Sequence, residues 1–196
     1  LTTGPTTTTA PPATCTMRCS TSGTCSLPPP PATSTSEVAP FVDVAKYIVP
    51  LFTESSFSKD EVLELLDDTW HDFSEHTFAP IKKLDDSKLV LELFHGPTAA
   101  FKDFGLQLAA AFFNKSLVRQ NKTAIVLGAT SGDTGSAAID ACKRFDSIKS
   151  FILLPDGNMS EVQRRQMTTV DSSNVFTLRV NGNFDDCQNI VKEAFN

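Results

Sequence analysis

The sequence contains no apolar run approaching the ~20 residues that a bilayer-spanning helix needs, and no charged-then-apolar leader opens it. A soluble protein with no membrane association is therefore expected. Basic residues are scarce and dispersed. There are 17 Lys and Arg against 23 Asp and Glu, a net charge of -6, and no Lys/Arg-rich cluster. A nucleic-acid surface is not expected from such a chain, and a small anionic ligand would have to be held by local groups. Cysteine is sparse and poorly spaced: Cys15, Cys19 and Cys25 near the start, Cys142 and Cys187 far along. An odd number without a C-x-x-C pair gives neither a disulfide framework nor a zinc site, so no metal is expected. Cys142 and Cys187 fall at helical positions and read as buried thiols of a reducing compartment. An initiator methionine is lacking too, and Ala194-Phe195-Asn196 interrupts an amphipathic helix pattern. Both ends read as cut, although 196 residues suffice for one sizeable core.

Composition divides the chain into three stretches. Residues 1–36 are dominated by Thr, Pro and Ser, with Arg18 the sole charge and Pro28 to Pro31 unbroken. Such a stretch buries too little apolar area to offset its ordering entropy and is expected to be disordered. A flexible tail, an acid-poor organellar targeting peptide and an error in the gene model all account for it. Residues 37–88 read as a helical segment. Phe41, Val44, Ala45, Ile48, Leu51 and Phe52 share one side, and Ser58-Lys59-Asp60-Glu61 forms a capping box ahead of Val62, Leu65, Leu66 and Trp70. His71 and His76 flank that helix end without ligand spacing and read as surface or dipole-capping groups.

From residue 89 to 196 short apolar runs alternate with amphipathic helices: 89–94, 101–119, 123–128, 134–145, 150–154, 159–169, 175–180 and 183 onward. That alternation predicts an α/β fold, a parallel sheet with flanking helices. Right-handed crossovers would place the strand-to-helix loops on one edge, so the loops near Lys102 and Ser131 should converge.

Those two loops carry the chemistry. In Phe94-His95-Gly96-Pro97-Thr98-Ala99-Ala100-Phe101-Lys102-Asp103 a Gly-Pro turn delivers a lysine into the first turn of a helix, after what reads as a buried strand. An ammonium beside the positive end of a helix dipole is electrostatically misplaced, which favours the neutral, nucleophilic amine. Lys102 thus reads as an imine-forming lysine or as a solvated helix-start lysine. Phe101 would exclude water from it or join the core. Asp103 would orient the helix start or the lysine, or simply meet the dipole. In the second loop, Thr130-Ser131-Gly132-Asp133-Thr134-Gly135 offers hydroxyls and glycine amides at a helix N-terminus, a common recipe for an anion site. It lacks the lysine of a Walker A loop, and Thr130 replaces the second glycine of a dinucleotide fingerprint. An ordinary capped turn is the other reading. Beyond it, Arg164 or Arg165 would suit a phosphate, or a solvated helix face.

Taken together, Leu91 to Thr98 with Phe101-Lys102-Asp103, Gly128 to Ile139, Ser160 to Val170, and Phe184 to Gln188 resemble the threonine synthase family. These are pyridoxal-phosphate enzymes of the fold that also houses tryptophan synthase β and cysteine synthase. The resemblance runs from about Val38 to Asn196 and implies PLP fold type II, here incomplete, with residues 89–196 a partial cofactor-binding domain. It implies Lys102 as the catalytic lysine on pyridoxal 5'-phosphate, with Phe101 and Asp133 beside the cofactor. Thr130, Ser131, Gly132 and Thr134 would bind the substrate carboxylate, and Arg164 the substrate phosphate. The implied activity is that of a lyase turning O-phospho-L-homoserine and water into L-threonine and phosphate. Alternatives are a threonine synthase-like protein that binds the cofactor or cleaves a related phosphorylated substrate without making threonine, and an inactive product of a truncated gene model. The family's folded N-terminal segment with an Asp-Gly-Gly turn is absent, as is the glycine-rich loop for the cofactor phosphate, so this chain is expected to be inactive alone. A cytoplasmic location is expected, or a plastid or other organelle if the head is a transit peptide. Oligomeric state is not readable.

Overall fold

The computed structural model describes residues 40–130, 132–157 and 159–196. The disorder expected for residues 1–36 and the role expected for Ser131 therefore lie outside the described residues. The chain divides into two units, one ending at Leu63 and the other spanning Glu64–Asn196.

In the first unit the apolar stripe between Phe41 and Phe52 becomes two helices, α1 (Phe41–Ile48) and α2 (Pro50–Thr53). Pro50 is the cause. It has no N–H to continue α1 but suits the first position of a helix. α3 (Lys59–Thr69) begins as predicted, with Glu61 Oε2 accepting from the Ser58 N–H at 3.0 Å while Ser58 Oγ accepts from the Glu61 N–H at 3.3 Å.

The second unit contains β1 (Ile81–Lys83), β2 (Leu89–Leu91), α4 (Lys102–Arg119), β3 (Ala124–Ala129), α5 (Asp133–Lys143), β4 (Ile148–Pro155), α6 (Glu161–Thr168), β5 (Val175–Val180) and α7 (Phe184–Ala194). β3, β4 and β5 form a parallel sheet in that order, with Ala124 opposite Ile148 and Ser150 opposite Val175. β4 lies between its two neighbours and is buried along most of its length. Alternation along the strand turns Ile152 and Leu154 toward Ile139 of α5 and Met167 of α6, forming one core cluster. Phe151 points the other way and stacks on Phe176 of β5 at 4.7 Å. A second cluster joins Leu117, Cys142 and Ile148. Full burial of side chains of this size contributes roughly 1.5–3 kcal/mol each.

Polar groups lock the frame where apolar packing ends. Gln107 of α4 donates to Asp140 of α5 at 2.7 Å, and both are buried. The Asn174 amide, 5% exposed, donates to the carbonyls of Cys142, Phe145 and Ile148 at 3.0, 2.9 and 2.8 Å. It thus satisfies the C-terminal end of α5 and the start of β4 together.

Two expectations need correction. Residues 37–88 are not uniformly helical, because β1 lies within them. The run 89–94 is not a buried parallel strand: only Leu89–Leu91 is extended, it pairs antiparallel with β1, and all three residues are exposed. A short apolar run carries no mark of which partner it will take. Among the described residues no helix is long and apolar enough to cross a membrane, and no His/Cys/Asp/Glu group is placed to hold a metal.

Candidate functional site

The turn ahead of α4 is held from both sides. The His95 carbonyl accepts from the backbone N–H and the hydroxyl of Ser74 at 2.9 and 3.1 Å. Ala99, at φ 58°, closes a turn by donating to the Gly96 carbonyl at 3.0 Å. Asp103 reaches back into that turn, fully buried, and accepts from the Thr98 N–H at 2.9 Å and the Thr98 hydroxyl at 2.6 Å. Its close approach leaves no room for a side chain at residue 96, where a Cβ would stand 2.6 Å from the Asp103 Cβ. Burial pushes the Asp103 carboxyl above its ordinary pKa, and the Thr98 hydrogen bonds pull the other way.

Lys102 is the first residue of α4, and its side chain is 29% exposed. The amine lies 4.5 Å from the centroid of the Phe101 ring and 3.7 Å from Asp133 Oδ2. Phe101 is therefore no core aromatic. It is 62% exposed and lies beneath the amine. The Lys102 and Asp133 loops do converge, though not because both belong to the parallel sheet, since β2 lies outside it.

The second loop is built on Thr130, which extends the ladder by donating its N–H to the Leu153 carbonyl at 3.0 Å. Its hydroxyl accepts from the N–H groups of Gly132 and Gly135 at 3.3 and 3.0 Å. Thr130, 6% exposed, thus uses its hydroxyl to shape its own loop. A Cβ on Gly135 would collide first with Thr130 Cγ2 and would stand 2.7 Å from Met167 Sδ, so this glycine lets the start of α5 lie against both Thr130 and α6. Gly132 caps α5 without a side-chain hydrogen bond, and Asp133 and Thr134 are exposed in the first helical turn. An anion could be received by those first-turn amides.

Sequence reasoning missed two glutamines. Ser160 caps α6, and from that helix Gln163 donates to Asp133 Oδ1 at 2.6 Å while Gln166 donates to the Thr98 carbonyl at 3.0 Å. The i,i+3 spacing in Gln163-Arg164-Arg165-Gln166, which sets both amides on one helix face, was the available signal. Arg164 is turned about 100° from Gln163 around the axis. It is held by Glu161, whose two oxygens accept from Arg164 Nε and Nη2 at 2.7 and 2.6 Å, and it borders a small pocket with Asp156, Gly157 and Arg179. The structure thus engages Arg164 within its own helix rather than with the Lys102 and Asp133 pair. Hydrogen bonds from Arg164 and Arg165 bring the Glu161 carboxyl down to about 2.

The chain is similar to known proteins in sequence and in fold. A family model described as pyridoxal-phosphate dependent enzyme matches residues 81–196. The threonine synthase of Pseudomonas aeruginosa is 43% identical over 156 residues, which cover 80% of this chain and 33% of that protein. The threonine synthase of Schizosaccharomyces pombe is 43% identical over 164 residues, covering 79% and 32%. Among solved structures, the PLP-bound threonine synthase from Brucella melitensis superposes with a TM-score of 0.75 at 43% identity, over 79% of this chain and 33% of that one. The yeast threonine synthase gives 0.74 at 40% identity, over 80% and 33%. The chain spans about a third of the length of the curated relatives it matches. With the family model covering more than half of its residues, the chain belongs to the pyridoxal-phosphate dependent enzyme family.

Proposed function

We propose that Lys102 is the amine that carries pyridoxal phosphate, and that the protein to which this sequence belongs is a threonine synthase acting on O-phospho-L-homoserine. The observation that carries this reading is the half-buried Lys102 amine at the start of α4, facing Asp133 across two loops. The donor set fits the cofactor. It offers a primary amine for an aldehyde, an aromatic ring beneath that amine, a carboxylate opposite, and a helix N-terminus without a side-chain cap. Bound there, pyridoxal phosphate supplies an aldehyde that condenses with amines and a ring that draws electrons from the substrate carbon.

The chain's own groups would do the rest. Lys102 Nζ would be the group that takes the proton from the substrate α-carbon and returns it. Phe101 would limit water at the amine, and Asp133 would be the cofactor's neighbour on the opposite side. Gly132 and Thr134 would receive the substrate carboxylate at the start of α5, where the first-turn amides favour negative charge, with Ser131 as the further contact expected from the sequence. Thr130 shapes that loop from behind. Arg164 would meet the substrate phosphate by exchanging its exposed pair with Glu161 for the ligand. A reducing compartment, the cytoplasm, accords with the buried and unpaired Cys142 and Cys187.

The test is covalent. The chain is incubated with pyridoxal phosphate, reduced with cyanoborohydride and digested, and the phosphopyridoxyl group is located by mass spectrometry. Label should concentrate on Lys102 and vanish from that peptide in Lys102→Ala, while exposed lysines such as Lys83 and Lys122 react slowly and equally in both. Uniform labelling of all lysines would remove the basis for the assignment. For the whole protein, release of phosphate from O-phospho-L-homoserine with formation of threonine tests the activity.

A further inference from the structure

The separation between Lys102 Nζ and Asp133 Oδ2, 3.7 Å, exceeds the 2.7–2.9 Å usual for a hydrogen-bonded ammonium and carboxylate. Nothing in Asp133 itself explains this gap, since its side chain is exposed and at the start of a helix. The restraint comes from the opposite side. Gln163 Nε2 donates to Asp133 Oδ1 at 2.6 Å. The amide that does so is itself fixed: Ser160 Oγ donates to Gln163 Oε1 at 3.0 Å and accepts from the Gln163 N–H at 3.2 Å, which points the amide nitrogen at the carboxylate. Gly132 gives it space, for a Cβ there would stand 3.0 Å from Gln163 Nε2.

We propose that Gln163 is a positioning residue that, by holding Asp133 Oδ1, keeps this carboxylate short of direct contact with the Lys102 amine. The inference rests on the reading of Lys102 as the reactive amine. Only the neutral amine attacks an aldehyde, and a carboxylate in direct contact favours its protonated form, so a carboxylate held back leaves the amine easier to deprotonate. Glutamine suits the task where charged residues would not. Glutamate would repel Asp133, and a cation would neutralise it in place of Lys102. Gln166 makes the second anchor. Its bond to the Thr98 carbonyl ties the turn ahead of Lys102 to the same face of α6, so one short helix sets the spacing of both loops.

A double-mutant cycle on the labelling reaction tests this. The readout is the rate of phosphopyridoxyl incorporation at Lys102, with thermal melting as a control for folding. In Gln163→Met, Asp133 is released to close on Lys102, and labelling should slow by about fivefold or more, the effect of losing one charge-assisted hydrogen bond. The labelling rate of Asp133→Ala sets the reference for that background, and adding Gln163→Met to it should change nothing further. Should Gln163→Met not fold, Gln163→Asn, which keeps the amide but withdraws it by one methylene, replaces it in the same cycle. An unchanged rate in the Gln163 variant, or an equal slowing with and without Asp133, overturns the positioning role while leaving Lys102 as the labelled residue. Absence of label at Lys102 in the unaltered chain overturns the reading of the amine and the inference with it.

Discussion

Asp103 and Thr98 are joined twice, the carboxylate accepting from both the backbone N–H and the hydroxyl of the same threonine at 2.9 and 2.6 Å. The residue after Lys102 thus reaches backward across the Gly-Pro turn and fixes where the helix begins. The lysine is placed by its neighbour's side chain as much as by its own.

Removing that brace should be costly. Asp103→Ala leaves two half-buried Thr98 donors without this partner, and a loss of about 1–3 kcal/mol is expected in urea denaturation. The pH dependence has a definite sign. Because the folded-state pKa of Asp103 is raised above 3.8, its contribution is fully present below that value and is lost as pH rises through the folded-state value. The stability of the unaltered chain relative to Asp103→Asn should accordingly narrow as pH is raised from just below 3.8. Glu161, whose pKa is lowered, acts in the opposite sense and loses its contribution as pH falls from 4.5 toward about 2.

Gly135→Ala should destabilise by about 1–3 kcal/mol through overpacking, because the new methyl would collide with Thr130 Cγ2 and press on Met167 Sδ at 2.7 Å. Gly128→Ala is the control. There a Cβ meets only Ile152 Cδ1, at 3.4 Å, and the midpoint of denaturation should move little. Equal effects in the two variants would show that crowding between α5 and α6 is not what the glycine relieves.

Asn174→Ala should lower stability by about 1–3 kcal/mol, since three carbonyls lose one shared donor, two of them in buried hydrogen bonds. Asn174→Asp should be worse. It keeps the shape but sets a carboxylate against the same oxygens, and the two variants compared by calorimetry separate lost bonding from added repulsion.

The Cys142 thiol, buried and 6% exposed, is pushed up to about 11 by loss of hydration. At pH 8 its alkylation by iodoacetamide should be at least about 100-fold slower in the native chain than in the unfolded one. Peptide mapping reads this directly, and rapid native labelling at Cys142 would mean that the seam among α4, α5 and β4 opens.

Much of this architecture was legible in the sequence because its signals were local. The capping box at Ser58 and Glu61, the strand over residues 175–180 and the helix beginning near Lys102 all follow from periodicity and end chemistry within a few residues. Pairing was not legible. Leu89–Leu91 has the composition of a buried strand, but its antiparallel partner, β1, could not be read from the run itself. In the site, Lys102 and Asp133 stood out through their loops. Gln163 and Gln166 did not, because a neutral amide on a polar helix gives no compositional sign that a carboxylate and a carbonyl await it in the fold. Arg164 drew attention through its charge, which its own helix neutralises.

Every residue pair in the parallel sheet has β4 as one member. Neither outer strand can therefore find its place until the middle one is laid down, and each docks from only one supersecondary unit away along the chain. The kinetic consequence is an order of assembly: mutations that slow β4, with its nearly continuous apolar surface, should delay the whole sheet, whereas those in β3 or β5 should chiefly hasten its fraying.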